Sequence, residues 1–244
     1  MKIQNVVIAG GGVLGSQIAY QCAYAGFHVT TYLRSEASVE RARPKVARLH
    51  GIYTAELQAA KAGATPVSRG LVMNQDPAGA DFDKLLQKAD AAYEGFHYET
   101  DLAAAVADAD LVIEALAEQP EAKEAFFSQL SPLLPEKTII ATNSSTLLPS
   151  LLAKSTGRPA KFLALHFANN IWKQNIAEVM GHSGTAPEAY EAVAQFAADM
   201  GMIPMRLKKE KAGYILNSML VPFLMSAQTL LADGIADVET IDQT

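Results

Sequence analysis

One cysteine, Cys22, stands in the 244-residue chain, so no internal disulfide can form. Its place on the apolar side of the first helical pattern reads as a packed thiol, which suits a reducing compartment. No apolar run approaches the roughly 18 residues that a membrane helix needs, and no basic leader with an apolar stretch precedes the first strand pattern. A cytoplasmic protein without a membrane partner is the expectation. The basic residues form no long block and the formal net charge is −6, which speaks against a nucleic-acid surface. Repeats and low-complexity tracts are also missing, and with 50% hydrophobic residues the chain can bury a large core. One further absence is local: no Asp or Glu occurs between Gly15 and Ser35.

That gap matters because of what precedes it. The apolar run Val6 to Ala9 leads into Gly10, Gly12 and Gly15 at GxGxxG spacing, followed by Ile18, Ala19, Cys22 and Ala23 at helical spacing. Strand, tight turn and helix in this order read as a dinucleotide site, the alternative being a glycine turn without a ligand. Gly10 allows the turn, Gly12 admits a pyrophosphate, Gly15 lets helix and strand pack, and the helix N-terminus, with Val13 and Leu14, faces the anion. An acid about 20 residues on commonly accepts the adenosine ribose hydroxyls. Here the second strand instead ends Tyr32-Leu33-Arg34-Ser35, a guanidinium and a hydroxyl where a 2′-phosphate would lie. The cofactor is therefore NADP or NAD, with NADP favoured. The alternative leaves Arg34 in solvent and lets Glu36 or Glu40 reach back to the ribose.

Strand-like and helical patterns alternate along the chain, which predicts an α/β fold of the Rossmann type, a doubly wound and mostly parallel sheet. Strands are expected at Asn5–Ala9, His28–Leu33, His97–Glu99, Leu111–Glu114, Thr138–Thr142, Lys161–His166, Ile176–Met180 and Ile203–Leu207. From about 39 to 93 the sequence is Ala-rich, charged and helical, broken at 62–66 and 75–81, and reads as an inserted helical hairpin. Arg41, Arg43, Lys45 and Arg48 lie there, either as a solvated face or as a surface for a phosphorylated ligand.

In the middle of the chain, "IIATNSST" (139–146) ends a strand in hydroxyls and an amide, where ligands bind in open α/β sheets. "KFLALHFANN" (161–170) carries His166, and "NIAEVMG" (175–181) places Glu178 among apolar neighbours. A buried carboxylate needs a partner, and a histidine on an adjacent strand can supply it. Such a pair is a general base with a set tautomer, or a pair that merely pins two strands.

These segments resemble the 3-hydroxyacyl-CoA dehydrogenase family in order and spacing: Gly10 to Gly15, Asn143-Ser144-Ser145, His166-Phe167, Ala177-Glu178-Val179 and Gly213-Tyr214-Ile215-Leu216-Asn217. The resemblance implies that His166 is the base, that Glu178 orients it, and that Ser145 and Asn217 bind the substrate oxygen. It implies cofactor contacts from Asn143, Glu118 and Lys123, although Glu118 and Lys123 also read as a helix start beside Pro120. No metal is expected. The substrate implied is a short or polar 3-hydroxyacyl-CoA, as in fatty acid metabolism. A free polar 3-hydroxy acid, as for gulonate or carnitine dehydrogenases, and nucleotide binding without turnover are the alternatives.

Three departures qualify the resemblance. Ala168-Asn169-Asn170 replaces Phe-Asn-Pro, so that the segment through Trp172 and Lys173 is expected to border a more polar pocket. Ser218 stands where the family commonly has Arg, and the family pattern continues beyond "ETIDQT". Two domains are expected: a dinucleotide-binding unit at 1–208, and at 209–244 the beginning of an all-α domain for substrate and dimer contacts. The segment 213–234 is apolar on more faces than a surface helix exposes, so a homodimer partner or further chain is expected to cover it.

Overall fold

The apolar run Asn5–Ala9 forms strand β1, with four of its five residues buried. Alternate side chains leave it in opposite directions, Val6 and Ile8 into one core layer and Val7 and Ala9 into the other. In this computed structural model, which describes residues 2–244, the same two-sided burial organises every central strand. The chain continues through α1 (Val13–Ala25) and β2 (His28–Tyr32) into α2 (Glu36–Lys61), α3 (Phe82–Glu94) and β3 (His97–Glu99). It then passes α4 (Leu102–Val106), β4 (Leu111–Glu114), α5 (Pro120–Leu130), β5 (Ile139–Thr142), α6 (Pro149–Leu152) and β6 (Phe162–Phe167). The last elements are β7 (Ile176–Met180), α7 (Pro187–Asp199), β8 (Ile203–Arg206), α8 (Leu216–Ala232) and α9 (Val238–Gln243).

One eight-stranded sheet results, in the order β3-β2-β1-β4-β5-β6-β7-β8. Strands β3 to β6 run parallel, β7 is antiparallel to β6, and β8 is parallel to β7. From β1 the chain winds outward to β3 and then crosses to β4 on the other side, so that β1 and β4 flank the switch point where a crevice opens. Helices α1 and α7 cover one face, and α4, α5 and α6 the other.

The inserted hairpin is α2 and α3, and it reaches further than 39–93, because α2 starts directly after Ser35. Three buried tyrosines join it to α1. Tyr53 meets Tyr20 and Tyr24 edge-on at 4.9 and 5.4 Å. Their hydroxyls all donate, Tyr20 to Ala89 O, Tyr24 to Leu71 O and Tyr53 to Gln21 Oε1, so the cost of burying three phenols is offset. Helix α8 has no buried residue, and it exposes Met219, Leu220, Val221, Phe223, Leu224 and Met225. No described helix is long and apolar enough to cross a membrane.

Candidate active site

The three glycines of the first turn divide their work. A Cβ on Gly10 would lie 2.5 Å from the Ala115 carbonyl oxygen, and one on Gly15 2.3 Å from that of Gly10, so both are required by packing. Gly10 also has φ +126, a left-handed conformation that favours glycine. Gly12 is different, since a Cβ there would point into space empty to 4 Å. It precedes α1 with no side-chain cap and no acid in the first turn, leaving backbone N–H groups to face an anion. A groove runs past this point in two parts. One, of about 650 Å³, is lined by Gly10, Gly12, Tyr32, Arg34, Arg41 and Lys45 among others. The other, of about 350 Å³, is lined by Gly12, Val13, Leu14, Glu118, Asn143 and Ser145 among others. Length, glycine cradle and helix terminus fit a dinucleotide.

At the end of β2, Leu33 turns inward and its methyl carbons approach Gly11. Arg34 is therefore the exposed residue that borders the groove. Ser35 does not cap α2 with its side chain, and its hydroxyl bonds that of Ser38, which accepts from Arg41 at 2.9 Å. Neither Glu36 nor Glu40 lines this part of the groove, and Glu40 pairs with Arg43 at 3.2 Å. The basic residues of α2 separate accordingly: Arg41 and Lys45 face the groove, whereas Arg43 lies over the Tyr98 ring.

The second half of the site is built by strand register. β6 and β7 pair His166 directly with Glu178, which puts both side chains on one face. His166 Nδ1 lies 2.9 Å from Glu178 Oε2, and Nε2 lies 3.0 Å from Ser145 Oγ. With Nδ1–H given to the carboxylate, Nε2 carries the lone pair that accepts the serine hydroxyl. The other carboxylate oxygen, Oε1, accepts the N–H groups of Ile215 and Leu216 at 2.8 and 2.9 Å. Burial alone would raise the Glu178 carboxyl. The hydrogen bonds from His166, Leu216 and Ile215 outweigh it and hold the group below its ordinary value of 4.5. A depressed carboxylate contributes stability that is full above the unfolded value and lost as pH falls through the folded one. Acid unfolding of the parent is therefore expected to include a contribution below pH 4.5 that Glu178→Gln lacks, seen as a shallower fall of Tm with pH in that window.

Glu118 organises the serine-rich turn. Its Oε1 accepts from Ser144 Oγ and from the N–H groups of Ser145 and Thr146 at 2.9 and 3.0 Å. Burial raises this carboxyl too, but these bonds and the Lys123 charge keep it below its usual range. Lys123 is buried, with Nζ 2.6 Å from Glu114 Oε1 and 3.4 Å from Glu118 Oε2. Its ammonium serves the protein's own carboxylates at the groove floor. Asn143 Oδ1 accepts the Phe167 N–H at 3.1 Å, tying the end of β5 to the end of β6. Asn217 sits in the first turn of α8, immediately after the amides that bind Glu178, and its side chain has no hydrogen-bond partner among the described residues.

Sequence reasoning missed two residues here. Glu114 ends the apolar strand "LVIE" and is fully buried, bonded to Lys123, Thr142 and the Leu116 N–H. The signal was the same as for Glu178, a carboxylate within an apolar strand. Tyr214 lies in a quoted motif, yet its stacking on His166 leaves no trace in spacing. Trp172 requires a correction, for it does not border the substrate site. It is 4% exposed against Tyr53, with Nε1 donating to Glu56 Oε2 at 3.3 Å. An indole needs an apolar bed with one acceptor, and the insertion provides both. Lys173 follows it, 4.0 Å from Glu56.

Comparison with known proteins agrees with this geometry. Residues 5–210 match the family described as 3-hydroxyacyl-CoA dehydrogenase, NAD binding domain. The chain is similar to a diketoreductase, described as performing substrate-directed dual catalysis of dicarbonyl compounds, at 48% identity and TM-score 0.84, covering 98% of this chain and 76% of that one. FadB2 of M. tuberculosis is 27% identical with TM-score 0.81 over 98% of this chain and 75% of its own. The 3-hydroxybutyryl-CoA dehydrogenase of Escherichia coli is 26% identical with TM-score 0.78 over 97% of this chain and 44% of its own. With a nucleotide groove meeting a carboxylate-held histidine at Ser145, the chain belongs to the 3-hydroxyacyl-CoA dehydrogenase family of nicotinamide-dependent oxidoreductases.

Proposed function

We propose that the chain moves hydride reversibly at the 3-carbon of a short or polar 3-hydroxy or 3-keto carbonyl compound, with NADP(H) as cofactor. The observation that carries this is the double role of Ser145, which lines the groove beyond Gly12 and lies 3.0 Å from His166 Nε2. A bound nicotinamide accepts or supplies the hydride. In the oxidising direction His166 Nε2 takes the alcohol proton, and the Glu178 carboxylate stabilises the imidazolium formed. Ser145 and Asn217 hold the substrate oxygen, where negative charge develops. In reduction the same imidazolium returns the proton.

The family's description points to a CoA thioester. The 48% identity to a diketoreductase favours a second reading, a CoA-free dicarbonyl. Parallel assays of acetoacetyl-CoA and 2,4-pentanedione separate the two, and activity on neither would remove the function proposed.

Arg34, Ser38, Arg41 and Lys45 along a groove wall without a carboxylate support NADP. NADPH is expected to bind at least about tenfold tighter than NADH, a difference of about 1.4 kcal/mol, and Arg34→Asp to reverse the order. Fluorescence titration with both cofactors reads this, and NADH preference in the parent would overturn it. A second copy of the chain against the apolar face of α8, read by sedimentation, and a cytoplasmic setting complete the proposal.

A further inference from the structure

The roles given above to His166, Glu178 and Ser145 leave none to Tyr214, although its ring lies on the imidazole and its hydroxyl on the turn that carries Ser145. The Tyr214 ring is 1% exposed and lies over the imidazole with centroids 4.5 Å apart and planes 16° from parallel. Its hydroxyl donates to the Ser144 carbonyl at 2.7 Å, one residue before the hydroxyl that meets Nε2. The next two residues supply the N–H groups that bind Glu178. The backbone at Tyr214 has φ +50, directly after Gly213 at φ +79. A bulky aromatic residue seldom adopts that conformation, which persists only where surrounding contacts over-determine it.

We propose that Tyr214 is a positioning residue for proton transfer: its ring holds and stabilises the His166 imidazolium, and its hydroxyl fixes the turn that carries Ser145. This rests on His166 as the acid–base group. An aromatic face attracts a cation, so the stacked ring supports the imidazolium that forms during turnover. Burial, followed by the charges of Glu118, Glu178, Glu114 and Glu210, raises the phenol above its ordinary range, so it remains a donor.

Two variants of the full chain separate ring from hydroxyl. Tyr214→Leu, which removes both ring and hydroxyl, is expected to lower kcat about fivefold below that of Tyr214→Phe with KM unchanged. Tyr214→Phe is expected to move the His166 Nε2 nitrogen shift in NMR of histidine-labelled protein, which reports the Ser145 hydrogen bond. It should also lower kcat about tenfold with KM unchanged, as a loss of positioning does. A kcat in the leucine variant equal to that of the phenylalanine variant overturns the role of the ring. Unchanged Nε2 shift and kcat in the phenylalanine variant overturn that of the hydroxyl, and this conservative variant serves alone if the other does not fold. A parent without turnover on either dicarbonyl would defeat the substrate reading, while the Nε2 shift of the phenylalanine variant still decides this one.

Discussion

His166→Ala is expected to lower turnover by about three orders of magnitude, within the range that a positioned acid–base group contributes, while cofactor affinity is unchanged. The reason is geometric. Nε2 is the atom of the pair that faces Ser145 and the groove, whereas Nδ1 is committed to Glu178 at 2.9 Å. No described histidine lines the groove itself, and His166 is the one that bonds its lining residue Ser145; the Ser145 hydroxyl alone can donate to a substrate oxygen but has no base to pass its proton to. Steady-state kinetics with paired cofactor titrations measure both effects. Turnover near that of the parent would remove His166 as the base. Lost cofactor binding would show instead that the imidazole holds the groove together.

The second large effect concerns stability. Lys123 and Glu114 are 1% and 0% exposed and joined at 2.6 Å. Removing one member of a buried ion pair leaves an uncompensated charge, so Lys123→Met is expected to cost about 3–5 kcal/mol. At roughly 2–4 °C per kcal/mol for a chain of this size, Tm should fall by about 10 °C. Lys123→Met combined with Glu114→Leu should recover much of that loss, because two apolar side chains of similar volume need no compensation. Denaturant unfolding of the single and double variants tests this. A single variant as stable as the parent would mean that Glu114 is satisfied by Thr142 and the Leu116 N–H alone.

The parts of the molecule read from sequence were those governed by local rules. Asn5–Ala9, His97–Glu99, Leu111–Glu114 and Ile176–Met180 form strands with the expected bounds, and the other four strands differ by one residue at one or both ends. A buried strand announces itself as an apolar run bounded by turn residues, and strand ends depend on pairing, which no single segment contains. The register of β7 illustrates the limit. The connection at 168–175 is too short for a parallel crossover and so favours an antiparallel return, but only the paired strand shows that His166 and Glu178 are register partners. Trp172 shows the other limit. Its sequence position beside the His166 segment suggested a pocket wall, yet its neighbours Tyr53 and Glu56 lie more than a hundred residues earlier.

Sequence by itself determined the class of fold, the glycine turn with its helix, the missing ribose acid, and the residue types that could move a proton. Those depend on hydrophobic period, backbone freedom and side-chain chemistry, all properties of the chain at short range. Tertiary structure alone decided that Lys123 is locked between Glu114 and Glu118, that Arg41 and Lys45 share a groove with Arg34 while Arg43 does not, and that Tyr214 roofs the imidazole. Each of these depends on which of several chemically acceptable partners is brought within a few ångströms. Because hydrogen bonds and ion pairs fall off over that distance, only the packing of the elements selects among them.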